Sequence, residues 1–169
     1  MARSAFQQLL DLIAKLLGGG RKGGASGSKP PRSTKPPAQG AGATDVRDGD
    51  YRFEYAPELD GDPDPGEVVW TWVPYEDDPR QGKDRPVAII GRHGRHLLGV
   101  ALTSKDKHPQ YQVPVGTGPW DRQGRPSFAK VDRLLDVDPA KVRREGAILD
   151  RTRHDDVVAA VRRLHERRR

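Results

Sequence analysis

One segment limits most strongly what this chain can fold into. Residues 18–49 consist mainly of Gly, Pro, Ser, Ala and charged residues, and Val46 is the one large apolar residue among them. A segment of this kind buries too little apolar surface to offset the entropy it loses on ordering. It therefore predicts a flexible linker. This linker separates residues 1–17 from a folded domain that we expect within residues 50–169.

Residues 4–17 predict an amphipathic helix that ends at the glycines from Gly18 onward. Its apolar side chains recur at helical spacing, at Phe6, Leu9, Leu10, Ile13, Leu16 and Leu17. Such a stripe has to pack against something, and we expect self-packing or self-association first. A weak contact with a membrane surface or a partner protein through residues 4–17 is the other interpretation.

Residues 50–169 predict a mainly β domain with one helix at its C-terminal end. Strand-like runs lie at 66–73, 86–91, 96–104 and 111–115, with one or two more within 127–137, and Gly- and Pro-rich turns separate them. A helix is expected from Asp150 or Thr152 to about Arg167, with its apolar stripe at Val157, Val158, Val161 and Leu164. Short, closely spaced strands followed by one helix predict a small barrel or sandwich with the helix packed on it.

Composition excludes several kinds of chemistry. The chain has no cysteine, which rules out disulfides, thiol nucleophiles and cysteine-ligated metals and fits a cytoplasmic location. The five histidines are not spaced as helical metal ligands, so we expect no metal or other cofactor. Residues 43–84 carry four basic and thirteen acidic residues, whereas residues 85–169 carry nineteen basic and ten acidic ones. The basic half is a candidate surface for nucleic acid.

A predicted hairpin brings together two residues suited to holding a phosphate. Arg85 and Thr103 each lie nine residues from Gly94, the expected turn, so an antiparallel pairing places them near each other at the open end. An arginine beside a hydroxyl can hold a phosphate through charge-assisted hydrogen bonds. From spacing alone, an exposed arginine and an ordinary strand-ending threonine remain an open alternative.

Four runs, taken in order, resemble the PemK/MazF toxin family. They are G-E-V-V-W at 66–70, Q-G-K-D-R-P-V-A-I-I-G at 81–91, V-A-L-T-S at 100–104 and A-K-V-D-R-L-L-D-V-D at 129–138, so that the resemblance covers about residues 65–167. It implies an SH3-like barrel, a homodimer, and a metal-independent endoribonuclease that acts on single-stranded RNA and has a cognate antitoxin protein. It also implies that Arg85 and Thr103 are catalytic, in a reaction where a ribose 2′-hydroxyl attacks the adjacent phosphorus.

Further residues are expected to bind the RNA, and two departures from the family pattern open an alternative function. The expected substrate-binding residues are Gln81, Ser104, Arg92, His96, Trp120 and Arg133. Arg80 stands where the family often has an acid, which Asp78 or Asp84 would replace, and Leu135 stands where the family often has arginine. The alternative is a non-catalytic SH3-like barrel that binds nucleic acid or protein and is tethered by its N-terminal helix.

Overall fold

The structure is a computed structural model that describes residues 40–46 and 49–165, with only the backbone of residues 144–146. The predicted helix at 4–17 and the predicted linker as far as residue 39 lie outside the described residues. In this part of the chain the mainly β prediction is confirmed. The strands are β1 Ala43–Asp45, β2 Tyr51–Phe53, β3 Glu67–Pro74, β4 Gly82–His93, β5 His96–Thr103, β6 Gln112–Gly116, β7 Ser127–Lys130, β8 Leu135–Val137 and β9 Arg143–Ile148, and the helix is α1 Arg151–His165.

The strands pair antiparallel in one curled sheet. The order along its main path is β1-β8-β5-β4-β3-β9, with β2 added on β4, β7 on β5 and β6 on β7. The sheet curls until β1 approaches β3. A Cβ atom added at Gly42, just before β1, would lie 1.9 Å from the Thr71 Oγ1 atom of β3 and 2.9 Å from the Lys141 carbonyl oxygen. Glycine is therefore required at this position for the barrel to close.

The hairpin of β4 and β5 turns at Gly94, whose φ of 59° lies in the left-handed region that favours glycine. Next to the turn, His93 pairs with His96. A bulge at Ile90 then shifts the register by one residue, so that Val87 pairs with Ala101 beyond it. The last pair of β4 and β5 is Val87 with Ala101; continued by two residues, this register places Arg85 level with Thr103, although β5 pairs there with β7.

Apolar side chains cover both faces of the central strands, which is why β4 contains the uninterrupted run V-A-I-I. One cluster fills the barrel and includes Val69, Val87, Ile89, Leu135 and Val137. The other lies on the outer face beneath β6, β7 and α1. There Val157 and Val161 of the predicted helical stripe are fully buried. At roughly 25 cal/mol per Å² of apolar surface, burial of this kind is the main stabilising contribution.

Three strands differ from the sequence prediction, and one of them is β2, which pairs with β4. Strand β1 lies inside the range 18–49 that was predicted as linker, and Ala43 is 1% exposed in the barrel. Composition does not reveal β1 because a single small apolar side chain and three backbone pairs with β8 are enough to anchor it. Strand β9, with the sequence R-R-E-G-A-I, was not predicted because its apolar and polar residues do not alternate clearly. The alternation is interrupted because the register of β9 shifts opposite Val68 and Val69 of β3.

Candidate active site

A groove opens where β3 ends and β4 begins. Its volume is about 220 Å³. The barrel residues Val73, Ala101 and Leu135 line it with apolar surface. Around this surface stand three cationic side chains and two carboxylates, which are Arg85, Lys130, Arg133, Glu76 and Asp77. Concave sites of mixed character, with an apolar surface and a few converging polar groups, are typical of ligand binding.

Arg85 reaches the groove because of the pleat of β4. It lies two residues before Val87, so the two side chains share the face that fills the barrel. Arg85 is half-buried and pairs with Thr71 of β3. Arg85 lines the groove together with the barrel residues Val73 and Ala101.

Thr103 is at the same end of the barrel and on the same face. It lies two residues after Ala101, which pairs with Val87, and it is half-buried. At this point β5 leaves β4 and pairs with β7, where Thr103 lies opposite Phe128. Its Oγ1 accepts a hydrogen bond of 3.2 Å from the backbone N–H of Lys105. Thr103 is not among the described residues that line the groove, whereas its neighbour on the same face, Ala101, and Arg85 line it.

Lys130 is a groove residue that sequence reasoning missed. Its Nζ lies 3.5 Å from Glu76 Oε1, and 28% of its side chain is exposed. Burial alternates along β7, and this alternation shows which face of the strand carries Lys130. Ser127 and Ala129 are buried, so Phe128 and Lys130 face the other side, which is the side of Thr103.

Arg133, which was predicted to bind substrate, lines the groove. Only 14% of its side chain is exposed. Its Nη1 donates a 2.7 Å hydrogen bond to the Pro74 carbonyl, and its Nε contacts the Asp45 carboxylate of β1. Its Nη2 is buried and has no hydrogen-bond partner among the described residues. The guanidinium is thus fixed in position with one donor group left unsatisfied.

The described residues that surround this groove fall within a family match. Residues 64–165 match the family model for the PemK-like, MazF-like toxin of type II toxin-antitoxin systems. The chain belongs to this toxin family. The match runs from just before β3 to the last residue of α1 and includes every groove residue. A search of curated proteins finds no match.

The acids suggested to replace the missing family acid do not line the groove. Asp78 accepts hydrogen bonds from Arg80 and Gln81, and the side chain of Arg80 holds the pKa of Asp78 below its usual value. Asp84 forms an ion pair of 3.1 Å with Arg143. The groove-lining carboxylates are Glu76 and Asp77 instead. Glu76 and Asp77 thus supply the negative charge beside Arg85 in this member of the toxin family.

Two predicted substrate-binding residues, Gln81 and Ser104, are exposed beside the groove end of the hairpin. Gln81 directly precedes β4 and donates its Nε2 hydrogen to Asp78 at 3.0 Å. Ser104 directly follows Thr103. Neither is among the described residues that line the groove.

Two other predicted residues, Arg92 and His96, lie at the opposite end of the hairpin. Arg92 is seven residues from Arg85 on β4, a separation of about 20 Å at roughly 3.3 Å per residue. It forms ion pairs with Asp64 and Glu54. The Nδ1 atom of His96 is 2.8 Å from Asp136. The expectation that these residues line the RNA groove is therefore corrected, because the hairpin extends away from it.

For Trp120 the sequence left two interpretations open, stacking on an unpaired base or packing of its loop onto the barrel. The structure supports packing, because Trp120 is 3% exposed and lies in the outer apolar cluster. Its Nε1 donates a 3.1 Å hydrogen bond to Ser127 Oγ. The loop from Gly116 folds onto the sheet because this indole finds both apolar neighbours and a hydrogen-bond acceptor there.

Residues 40–46 and 49–165 contain no group of three or more His, Asp or Glu side chains placed to hold a metal ion. Within the same ranges, no helix has the length and apolar character needed to cross a bilayer.

Proposed function

We propose that the protein is a metal-independent endoribonuclease that cleaves single-stranded RNA. The observation that carries this proposal is the convergence of Arg85, Lys130 and Arg133 on one groove with an apolar surface. Cationic side chains bind the phosphates of a single strand, and apolar surface accommodates its bases. Membership of the toxin family supports the same function.

The reaction proposed is an internal transesterification. The ribose 2′-hydroxyl oxygen attacks the adjacent phosphorus and the bond from phosphorus to the 5′ oxygen breaks, which leaves a 2′,3′-cyclic phosphate and a 5′-hydroxyl end. Arg85 stabilises the charge on the pentacoordinate phosphorus by donating hydrogen bonds to its oxygens. Since arginine has a reference pKa above about 12, this role suits it better than proton transfer. Thr103, level with Arg85 in the continued register, holds a phosphate oxygen or the attacking hydroxyl.

A proton must leave the 2′-hydroxyl, and another must reach the 5′ oxygen. Of the two carboxylates in the groove, Glu76 is paired with Lys130. Asp77 makes no ion pair with the residues that the structure describes, and it lines the same groove as Arg85. We propose that Asp77 accepts the proton of the 2′-hydroxyl, and that the protonated Asp77 carboxyl returns it, directly or through water, to the departing 5′ oxygen.

The proposal extends to the partners and the location of the protein. A type II toxin acts with an antitoxin, and we propose that a cognate antitoxin binds this protein and blocks access to the groove. We further propose that the protein works as a homodimer in the cytoplasm, the compartment of its RNA substrate.

The experiment incubates purified full-length protein with a mixed-sequence single-stranded RNA in EDTA. Fragments with a 5′-hydroxyl and a 2′,3′-cyclic phosphate are expected from the wild type. Arg85→Ala should lower kcat/KM by about 100-fold or more, as for the loss of one preorganised donor. Arg122→Ala, which changes an exposed arginine outside the groove, is the matched control. Cleavage by Arg85→Ala at the wild-type rate would refute the assignment, and RNA binding without cleavage would favour the non-catalytic alternative.

A further inference from the structure

The three cationic side chains of the groove come from two separate segments of the chain. Arg85 comes from β4, whereas Lys130 ends β7 and Arg133 follows shortly after it. Strand β5 lies between β4 and β7, because it pairs with both. Two interstrand spacings of roughly 4.8 Å separate the backbones of β4 and β7 by about 10 Å. Lys130 and Arg133 therefore enter the groove from a different side than Arg85.

Arg133 is prepared to bind an anion. Its Nη1 and Nε are fixed by the Pro74 carbonyl and the Asp45 carboxylate, so its side chain loses little further freedom on binding. Its Nη2 is a buried donor without a hydrogen-bond partner among the described residues. Because this donor is covered, Arg133 acts on a phosphate in the groove through its fixed positive charge.

Glu76 is the anion that Lys130 contacts in the free protein. The contact measures 3.5 Å, which is longer than a strong charge-assisted hydrogen bond of about 2.7–2.9 Å. The Glu76 side chain is 58% exposed, and solvent screens an ion pair of this kind. A phosphate can therefore replace the Glu76 carboxylate at Lys130 at small cost.

We propose that Lys130 and Arg133 form a second phosphate subsite, which binds an RNA phosphate next to the scissile one held by Arg85. Glu76 occupies this subsite until RNA displaces it. The proposal rests on the proposed function, because it assigns the groove to a single strand of RNA. It adds that Lys130 anchors the substrate and takes no part in the chemical step. The RNA phosphate competes with the Glu76 carboxylate for Lys130.

The experiment measures binding of a mixed-sequence 12-nucleotide RNA whose 2′-oxygens are all methylated, so that the nucleophile is blocked. Fluorescence anisotropy with the full-length protein gives Kd between 50 and 300 mM salt (about a sixfold range). Each phosphate contact to a single strand contributes a slope of roughly −0.7 to the plot of log K against log salt. For Lys130→Gln we expect this slope to become shallower by about 0.7. For Glu76→Gln we expect tighter binding, by up to about fivefold, as for loss of a competing surface ion pair.

The chain offers a matched control for each variant. Lys141 forms an ion pair of 3.4 Å with Asp138 and is 36% exposed, which closely matches Lys130, yet it lies outside the lining of the groove. Asp156 is an exposed carboxylate on α1. Lys141→Gln and Asp156→Asn should leave both the affinity and the salt slope at wild-type values.

Cleavage of unmodified RNA separates this proposal from the proposed function. We expect Lys130→Gln to raise KM and leave kcat within about twofold, since the contact exists before and during the reaction. If the wild type cleaves RNA while Lys130→Gln keeps its salt slope and KM, the subsite is refuted and the nuclease stands. If the wild type neither binds nor cleaves RNA, both fail. If Lys130→Gln weakens binding of a poly-glutamate peptide but not of RNA, Lys130 belongs to a surface for a protein partner. That result would overturn the subsite.

Discussion

Replacing Trp120 tests whether its indole supports the fold or contacts RNA. Trp120→Phe keeps an aromatic ring but removes the N–H that donates to Ser127 Oγ at 3.1 Å. Ser127 is itself only 3% exposed, so its hydroxyl loses its partner in a buried place. An unsatisfied buried hydroxyl costs about 1–3 kcal/mol. The smaller ring leaves unfilled space as well, at about 1 kcal/mol or more.

We therefore expect Trp120→Phe to lower the free energy of unfolding by about 2–4 kcal/mol, measured by urea denaturation. At roughly 4 °C per kcal/mol, Tm falls by about 8–15 °C. Adding Ser127→Ala removes the stranded hydroxyl, so the double variant should be more stable than the sum of the single effects predicts, by about 1–3 kcal/mol. Well below Tm, kcat/KM for RNA should stay within about twofold of the wild type.

One result would contradict the assignment of Trp120 to the fold. If Trp120→Phe leaves the unfolding free energy within about 0.5 kcal/mol of the wild type but raises KM for RNA, the indole contacts RNA. The structural assignment would then be wrong. Arg125→Gln serves as the control for the loop, because it alters an exposed side chain near Trp120 and leaves the buried hydrogen bond intact.

Three other changes test the site and the fold. Asp77→Asn should lower kcat by about 100-fold or more while Kd for methylated RNA stays near wild type or tightens, and an unchanged kcat would remove Asp77 as the proton acceptor. Gly42→Val should cost about 1–3 kcal/mol in urea denaturation, because its Cβ would overlap Thr71, and a neutral effect would contradict the barrel closure. The pKa of Asp78, followed by NMR, should lie below the usual carboxyl value and rise in Arg80→Gln. The pKa of Asp78 is lower in the folded protein than in the unfolded chain, so the ion pair of Asp78 with Arg80 stabilises the fold at neutral pH. This contribution is lost as the pH falls through the pKa of the folded protein. A titration of Asp78 that is the same in both proteins would exclude Arg80 as the cause.

The central strands were predictable because their residues carry a local signal. The runs at 66–73 and 96–104 are β-branched or apolar and end at turn residues, and they correspond to β3 and β5. Counting residues about Gly94 also predicts that Arg85 lies near Thr103. That count agrees with the register beyond the bulge at Ile90, although it differs by one residue from the pairing at the tip.

The groove was less predictable because it depends on contacts between distant segments. Lys130 and Glu76 are 54 residues apart in sequence, and no local pattern pairs them. Two interpretations of Trp120 stayed open in the sequence for a similar reason. A tryptophan in a Gly- and Pro-rich loop has the same sequence signature whether the loop projects into solvent or folds onto the sheet. Only the buried acceptor on Ser127 distinguishes the two cases.

Arg133 shows how the structure changes the interpretation of a departure from the family pattern. Leu135 stands where relatives often have arginine, which suggests a groove that has lost a cation. In the structure, Leu135 is fully buried in the barrel, and Arg133 lines the same groove from two residues earlier. Arg133 is held there by Asp45 of β1, a strand inside the range predicted as linker. The segment that composition classed as unstructured thus positions a cation of the proposed RNA site, and the positive charge of the groove is retained by a different residue.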